Sequence, residues 1–374
     1  MGENSLKLDI LILHDFFSNI GGAEWVAVEM ARHYNAPIAT FDPPTGDKRF
    51  KDIDFINLGK SQKYPSGYKE TSVWIKNWIN GILKKYDDYD LIIINKEWCK
   101  SAASATKTNS LYYCHTPDRH LYDLNNYTYN RLKKNHSLTS ALIFKIWSPL
   151  MRIFDQRAVK KADKIVCNSK NVKKRIQKYY GLNPKVIYPP VDTKEFYFEK
   201  IGNYWLTVSR LNPVKRIEFL IKIFNETEET LKIVGPADRE EELKKYKKLA
   251  NDNIQFTGEI SWRKLKKLYA NCKATITVAK DEDFGLTPIE SMASGKPVLA
   301  VNEGGYKETI INKKTGWLLP PKKERFKEKI SKIDKQTIMS MKKNCQKNAE
   351  KFNKNKFFKN LDKTIKQLNI NQKT

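Results

Sequence analysis

Short runs of consecutive apolar residues alternate along the chain with longer stretches in which apolar residues recur every three or four positions. Residues 8–13, 90–95, 110–115 and 164–168 are runs of strand length, and 23–33 has helical spacing. The runs are continuous and rich in Ile, Leu and Val rather than alternating with polar residues, which predicts strands covered on both faces: a parallel sheet with flanking helices. Residues 185–192 read as a strand that ends in Pro189-Pro190, where no helix can continue, and mark a domain junction.

The pattern then restarts. Strands are predicted at 204–209, 230–234, 254–256, 274–278 and 297–301, separated by helical stretches at 217–224, 239–250 and 262–270. Alternation of strand and helix in both halves predicts an α/β protein of two doubly wound, Rossmann-like domains facing each other across a cleft. The expected division is 1–192, 193–350 and a C-terminal helix in 351–374 that packs back on the first domain. The tail beyond 321 is Lys- and Asn-rich but keeps Phe326, Ile330, Met341, Phe352, Leu361 and Ile365 at helical spacing, so it reads as amphipathic helices. In doubly wound sheets, ligands bind beyond the carboxyl ends of the strands, so the loops that follow strands should carry the chemistry.

Charge adds a second constraint. With 69 Lys+Arg against 42 Asp+Glu, the 374-residue chain carries a net charge of +27. That predicts attraction to a polyanion, whether nucleic acid, an anionic membrane surface or a phosphorylated substrate, and says nothing about fold. Five dispersed cysteines without a CxxC argue against a disulfide framework or a structural zinc site. Residues 1–7 are polar and lack signal-peptide character, and no run approaches the roughly 18 apolar residues of a membrane span. The expectation is a cytoplasmic protein, with peripheral attachment to the inner face of the membrane as the form its charge favours.

The most informative segment is Lys280-Asp-Glu-Asp-Phe-Gly-Leu-Thr-Pro-Ile-Glu290, directly after a predicted strand. Thr287 reads as an N-cap, Pro288 as the first helical residue, and Glu290 as the partner of a Thr-x-x-Glu capping box. The free N–H groups around Gly285 to Ile289 would then form a positive helix end suited to a phosphate. Glu282 and Glu290 can accept hydrogen bonds from sugar or ribose hydroxyls.

This acid-x-Phe-Gly-x-x-x-x-Glu pattern, followed by Gly295-Lys-Pro-Val298 and Glu303-Gly-Gly305, resembles the donor-site signature of the GT-B fold glycosyltransferases of retaining family 4. The resemblance extends to Arg210 and Lys215 in Val208-Ser-Arg-Leu-Asn-Pro-Val-Lys-Arg216, to the glycine loop Gly21-Gly22-Ala-Glu24, and to His115 in Tyr113-Cys-His-Thr-Pro-Asp118. It implies catalytic roles for His115, Arg210, Lys215 and Glu282, and donor contacts from Gly22, Phe284, Gly285, Leu286, Thr287 and Glu290. Arg210 and Lys215 would neutralise a departing diphosphate, the main electrostatic demand of glycosyl transfer. Glu282 would orient the sugar, Glu290 hold the ribose and His115 sit by the transferred sugar.

The stretches 113–117 and 186–192 are similar to those of mannosyltransferase-like members of polysaccharide and lipid-linked oligosaccharide assembly. GDP-mannose is therefore the expected donor, with UDP-sugars next, and a glycan or lipid-linked saccharide the expected acceptor. No metal cofactor is expected. Asp52-Ile-Asp54 and Asp88-Tyr-Asp90 have the Asp-x-Asp spacing of metal-dependent transferases, but Asp88 and Asp90 merely precede a predicted strand, and Asp281 and Asp283 belong to the Glu282 loop. Residues 140–154, apolar with interspersed cations, read equally as a membrane-interface segment or as an interior helix broken before Pro149.

Two other readings compete. Another GT-B enzyme, a UDP-sugar transferase or glucan synthase, would share most of these residues. A basic nucleic-acid-binding protein would explain the charge, but no RRM, KH or helix-turn-helix signature is present, and no nucleic-acid partner is expected.

Overall fold

The computed structural model describes residues 8–17, 20–44, 46–59, 87–368 and 370. The polar opening stretch 1–7 and much of the span 45–85 lie outside them. By its contacts the chain divides into two compact units, residues 1–188 with 358–374 and residues 189–357.

The first unit is built on a seven-stranded parallel sheet of order β3-β2-β1-β4-β5-β6-β7. Its strands are β1 (Ile10–Phe16), β2 (Ile38–Phe41), β3 (Phe55–Asn57), β4 (Leu91–Ile94), β5 (Asn109–Cys114), β6 (Lys164–Cys167) and β7 (Lys185–Val186). Register runs Ile10↔Leu91 to Leu13↔Ile94 between the two central strands. Leu91 to Ile94 are fully buried, because helices cover both faces. Leu11, Leu13, Ile92, Ile94, Tyr112 and Cys114 meet Val172 and Ile176 of helix Lys170–Tyr180 in one core. That helix is held at both ends: the Ser169 hydroxyl accepts the Val172 N–H at 2.9 Å, and Gly181 closes it at φ 69°. Helix Lys354–Ile365 enters this unit from Phe358 onward. There Phe358 stacks on His33 at 3.8 Å, and Asp362 accepts the Tyr34 hydroxyl at 2.7 Å.

The second unit holds a six-stranded parallel sheet of order β10-β9-β8-β11-β12-β13. Its strands are β8 (Tyr204–Val208), β9 (Thr230–Val234), β10 (Ile254–Gly258), β11 (Ala274–Thr277), β12 (Val298–Val301) and β13 (Gly316–Leu319). Both sheets reverse strand order beside their first strand, between β1 and β4 and between β8 and β11. Such a reversal leaves room beyond the carboxyl edge for a ligand.

Three differences from the sequence expectation have physical causes. Strand β3, at the sheet edge, has only three residues, too few to stand out as an apolar run, and β2 and β13, of four residues each, are likewise absent from the predicted strands. Of the stretch 185–192, only Lys185 and Val186 pair in the sheet, since the prolines that follow cannot donate to a ladder. The stretch 140–154 is neither interior nor broken: helix Leu138–Val159 runs through Pro149. The proline forfeits one intrahelical hydrogen bond, while Ala141, Phe144, Ser148 and Met151 on the buried face hold the helix down.

Candidate active site

In the second unit the chemistry gathers at the sheet reversal. Arg210 follows β8 and is exposed. The Asn212 side chain accepts the Lys215 N–H at 3.0 Å, closing the turn Pro213–Lys215, and Arg216 at φ 53° starts helix Ile217–Phe224. From the other side of the reversal, the loop after β11 comes to meet this turn. The Lys280 N–H donates to the Val214 carbonyl at 2.9 Å. Lys215 Nζ pairs with Glu282 Oε2 at 2.6 Å, and Arg216 with Glu303 Oε2 at 3.0 Å.

The two glycines of the motif explain how the loop fits. A Cβ on Gly304 would stand 2.4 Å from the Glu282 carbonyl oxygen, and one on Gly305 would stand 2.5 Å from Phe284 Cα. Gly305 N–H donates to that same Glu282 carbonyl at 2.8 Å. Only glycine permits so close a backbone approach, so Gly304 and Gly305 seat the loop that presents Glu282 to Lys215.

The helix after this loop corrects one expectation. It spans Leu286–Ala293 and begins at Gly285, whose φ of 92° provides the entry turn. Thr287 lies within the first turn and makes no capping bond, so no Thr-x-x-Glu box forms. Glycine supplies the reversal that a threonine cap cannot. Glu290 is thereby left for other work: it accepts the Tyr269 hydroxyl at 2.7 Å, and burial pushes its carboxyl up to about 7, against the opposing effect of that hydrogen bond. Phe284 is buried against Phe352 at 5.6 Å. Leu286 and Thr287 are half-buried at the end of the helix whose first N–H groups have no intrahelical partner.

In the first unit, a polar cluster occupies the carboxyl edge where β1, β4 and β5 end. Gly22 opens helix Gly22–Tyr34, and the buried Glu24 carboxylate accepts the Gly21 N–H at 2.8 Å, His14 Nε2 at 3.2 Å and the Lys96 ammonium. Burial alone would raise this carboxyl. The charge of Lys96 and the hydrogen bond from His14 outweigh it, and the group is held well below the carboxylate range. Asn95 links the two histidines. Its amide nitrogen donates to the Ala23 carbonyl at 2.9 Å and to His14 Nδ1 at 3.1 Å, and its oxygen meets His115 Nε2 at 3.0 Å. These partners assign the tautomers: His14 carries its proton on Nε2, and His115 donates from Nε2, which leaves His115 Nδ1 as an acceptor. Burial first, with the positive charge of Lys96 adding to it, pushes His115 down to about 3, so it is neutral at physiological pH.

The loop carrying His115 is also braced, because Arg175 donates to the Thr116 hydroxyl at 2.9 Å and the Tyr113 ring meets His115 edge-on at 5.0 Å. Next to Lys96, the Glu97 carboxyl is raised to about 8 by burial and by Asp15 and Asp118.

Sequence reading singled out Gly22 and His115 here but assigned no role to His14, Glu24, Asn95 or Lys96. Their shared signal is a polar residue at or just past the end of an apolar run, or in the first turn after one. Likewise Arg216 and Glu303, which lie in two of the motif segments, form an ion pair that the sequence does not reveal.

The Asp-x-Asp pairs serve the scaffold: Asp52 binds Arg32 at 2.7 Å, and Asp90 accepts the Asp9 N–H at 3.0 Å. Among the described residues no group of three or more His, Cys, Asp or Glu could hold a metal. Lys296 of the Gly-Lys-Pro-Val segment is buried, donates to the Lys200 carbonyl and lies over the Phe198 ring at 4.1 Å, so it belongs to the packing.

Two family models match the chain in succession, Glycosyltransferase Family 4 over residues 20–195 and Glycosyl transferases group 1 over residues 193–352. The chain belongs to this family of GT-B glycosyltransferases. It is 26% identical to the α-1,3/1,6-mannosyltransferase ALG2 of Dictyostelium discoideum, over 98% of this chain and 100% of that one. It is 29% identical to the O-antigen chain mannosyltransferase RfbU of Salmonella typhimurium, over 43% of this chain and 48% of that one. Among solved structures, Anabaena HepE, determined with UDP and glucose, superposes with a TM-score of 0.78 at 19% identity, covering 96% of this chain and 99% of that one. The fold is GT-B and the protein is a glycosyltransferase. No helix among the described residues is long and apolar enough to cross a membrane.

Proposed function

We propose that the protein transfers mannose from GDP-mannose to a glycan or lipid-linked saccharide with retention of anomeric configuration. The observation that carries this reading is the pairing of Lys215 with Glu282 at 2.6 Å, at the foot of the helix that starts at Gly285. A cation held by a carboxylate beside a helix N-terminus is an arrangement suited to a diphosphate. Arg210 and Lys215 screen the charge that builds on the leaving diphosphate, while Gly285, Leu286 and Thr287 offer backbone N–H groups and Gly285 admits close approach. Glu282 accepts from hydroxyls of the sugar, Glu290 from the ribose, and Phe284 holds the loop in place. In the first unit, Gly22 borders the donor phosphates and neutral His115 offers Nδ1 to a hydroxyl of the transferred sugar.

The acceptor hydroxyl attacks the anomeric carbon on the face from which the diphosphate departs. Its proton passes to the leaving phosphate oxygen, and no covalent sugar–enzyme intermediate forms. The protein's contribution is positioning and electrostatic stabilisation. Both curated relatives named above are mannosyltransferases, which supports mannose. A UDP-sugar is the second reading, favoured by the UDP and glucose in the HepE structure.

A thermal-shift panel of GDP, UDP, dTDP and ADP with their sugars tests the donor. GDP and GDP-mannose are expected to raise the melting temperature most, by the stabilisation that any native-state ligand brings. A response to UDP alone would reassign the base, and no response to any nucleotide would sink the reading. Glu290 makes a second expectation. A ribose diol is bound by the carboxylate and not by the acid, and the carboxyl in the free protein titrates at about 7. Nucleotide affinity should therefore rise between about pH 6 and pH 8 and level off above. Glu290→Gln should bind more weakly with that slope gone, as titration calorimetry at three pH values would read. A slope unchanged in the variant would remove Glu290 from ribose binding.

Lipid-linked acceptors are presented at a membrane, and the charge of +27 suits an anionic surface. Peripheral attachment to the inner face of the membrane, from the cytoplasm, completes the reading.

A further inference from the structure

The helix Leu138–Val159 is apolar on two faces. Its inner face buries Ala141, Phe144, Ser148, Met151 and Asp155, with Leu132 of helix Asn125–Asn135 packed against Ala141 and Phe144. Its outer face should be polar in a helix that only met water. Instead Leu138, Leu142, Ile143, Ile146, Leu150, Ile153 and Phe154 are all exposed, Ile146 by 72% and Leu150 by 56%. They recur at three- and four-residue spacing, which places them on one side of the helix, and from Leu138 to Phe154 the row is about 24 Å long. A contiguous apolar row of this kind marks an interaction surface.

The surrounding charge selects the partner. Lys133, Lys134, Lys145, Arg157, Lys160 and Lys161 are exposed on and beside this helix. Between residues 125 and 162 the sequence has one acid, Asp155, and it is buried and paired with Lys100. The same helix contributes Arg152 and Gln156 to a hollow of about 550 Å³ that Tyr122, Asp123, Lys178 and Tyr179 complete, which adds two further cations at its flank. An apolar row bordered by exposed cations, with the one acid of the flanking hollow, Asp123, paired to Arg119, is complementary to a bilayer surface with anionic headgroups: the side chains enter the acyl boundary while the ammonium and guanidinium groups remain among the phosphates.

We propose that the outer face of helix Leu138–Val159 is the membrane-docking element, lying in the plane of an anionic lipid surface. This deepens the peripheral attachment proposed above and rests on it. Lipid would cover Leu142, Ile146, Leu150 and Ile153, and the exposed cations would set the preference for anionic lipid.

Vesicle flotation of the full chain tests this, with phosphatidylcholine alone and with phosphatidylcholine plus phosphatidylglycerol. Wild type should float with the anionic vesicles. The double variant Ile146→Ser/Leu150→Ser should lose roughly ten- to a hundred-fold in partition coefficient, given what two large apolar side chains contribute when immersed. Lys133→Glu/Lys134→Glu should lose the preference for anionic lipid. Both variants change exposed side chains, so an unaltered melting temperature and nucleotide response would show that they are folded. Wild type that floats with no vesicle would overturn both the peripheral reading and this inference. Flotation equal in wild type and Ile146→Ser/Leu150→Ser would overturn the helix assignment alone. Light scattering that shows wild type as a dimer, and the same variant as a monomer, would instead assign the face to a second copy of the chain and also overturn the inference.

Discussion

Lys215→Ala is expected to lower kcat by about 10²–10³, with a smaller change in donor affinity, because an electrostatic donor aimed at a departing group acts mainly in the transition state. The loss corresponds to roughly 2.7–4 kcal/mol, the range found when one preorganised donor is removed. Lys215→Arg should recover part of the rate, since the charge persists but the flexible point contact is replaced by a planar fork. Geometry supplies an internal control. Lys215 is held by Glu282 at 2.6 Å, so Glu282→Gln removes its tether as well as the proposed sugar contact. If both residues serve one step, Lys215→Ala/Glu282→Gln should be little slower than the worse single variant. Strictly additive losses would separate the two roles, and a wild-type rate in Lys215→Ala would remove the cation from catalysis. Steady-state kinetics with a saturating acceptor would read each case.

The central strands of both sheets were legible in the sequence because they are fully covered, and full burial writes itself as unbroken apolar runs. Strand β3 was not, since an edge strand of three residues that are only half-buried or exposed carries no such run. The loop after β11 was legible for a different reason. Gly285, Gly304 and Gly305 are demanded by backbone approach or by positive φ, and such demands fix residue type at fixed spacing. The start of the adjoining helix was misread because Thr-x-x-Glu is a valid cap in isolation, and nothing local reveals that Tyr269, 21 residues away, takes the glutamate. The cluster that His14, Glu24, Asn95 and Lys96 form around His115 escaped for the same reason. Its members are up to 101 residues apart, between His14 and His115, and only the parallel register of β1, β4 and β5 brings them to one edge.

That cluster carries the last expectation. Glu24→Ala should destabilise the first unit by about 2–4 kcal/mol, since it leaves the Lys96 ammonium facing a buried site without its partner and also removes the acceptor of the Gly21 N–H. Glu24→Gln keeps the acceptor but not the charge, so the gap between the two variants isolates the turn contact from the ion pair. The pH dependence has a definite sign. The Glu24 carboxyl lies well below its unfolded value of roughly 4.3. Its contribution is therefore complete above that unfolded value and is lost as pH falls through the folded one. Thermal unfolding between pH 3 and pH 7 should show an acid-side fall in wild type that is shallower in both variants.

Glu97 adds a compensating step. Its carboxyl is held near 8 and so retains a proton at neutral pH, although Lys96 pulls it down. With Glu24 gone, Lys96 has no other carboxylate pressing it as strongly. Ionisation of Glu97 would then be favoured and would recover part of the lost pairing. Glu24→Ala/Glu97→Gln should consequently lose more stability than the two single variants combined, by about 0.5–3 kcal/mol, the usual range for groups that share a partner. Additivity within about 0.5 kcal/mol would mean that Lys96 finds its counter-charge elsewhere, and the cluster would then be two independent contacts rather than one network.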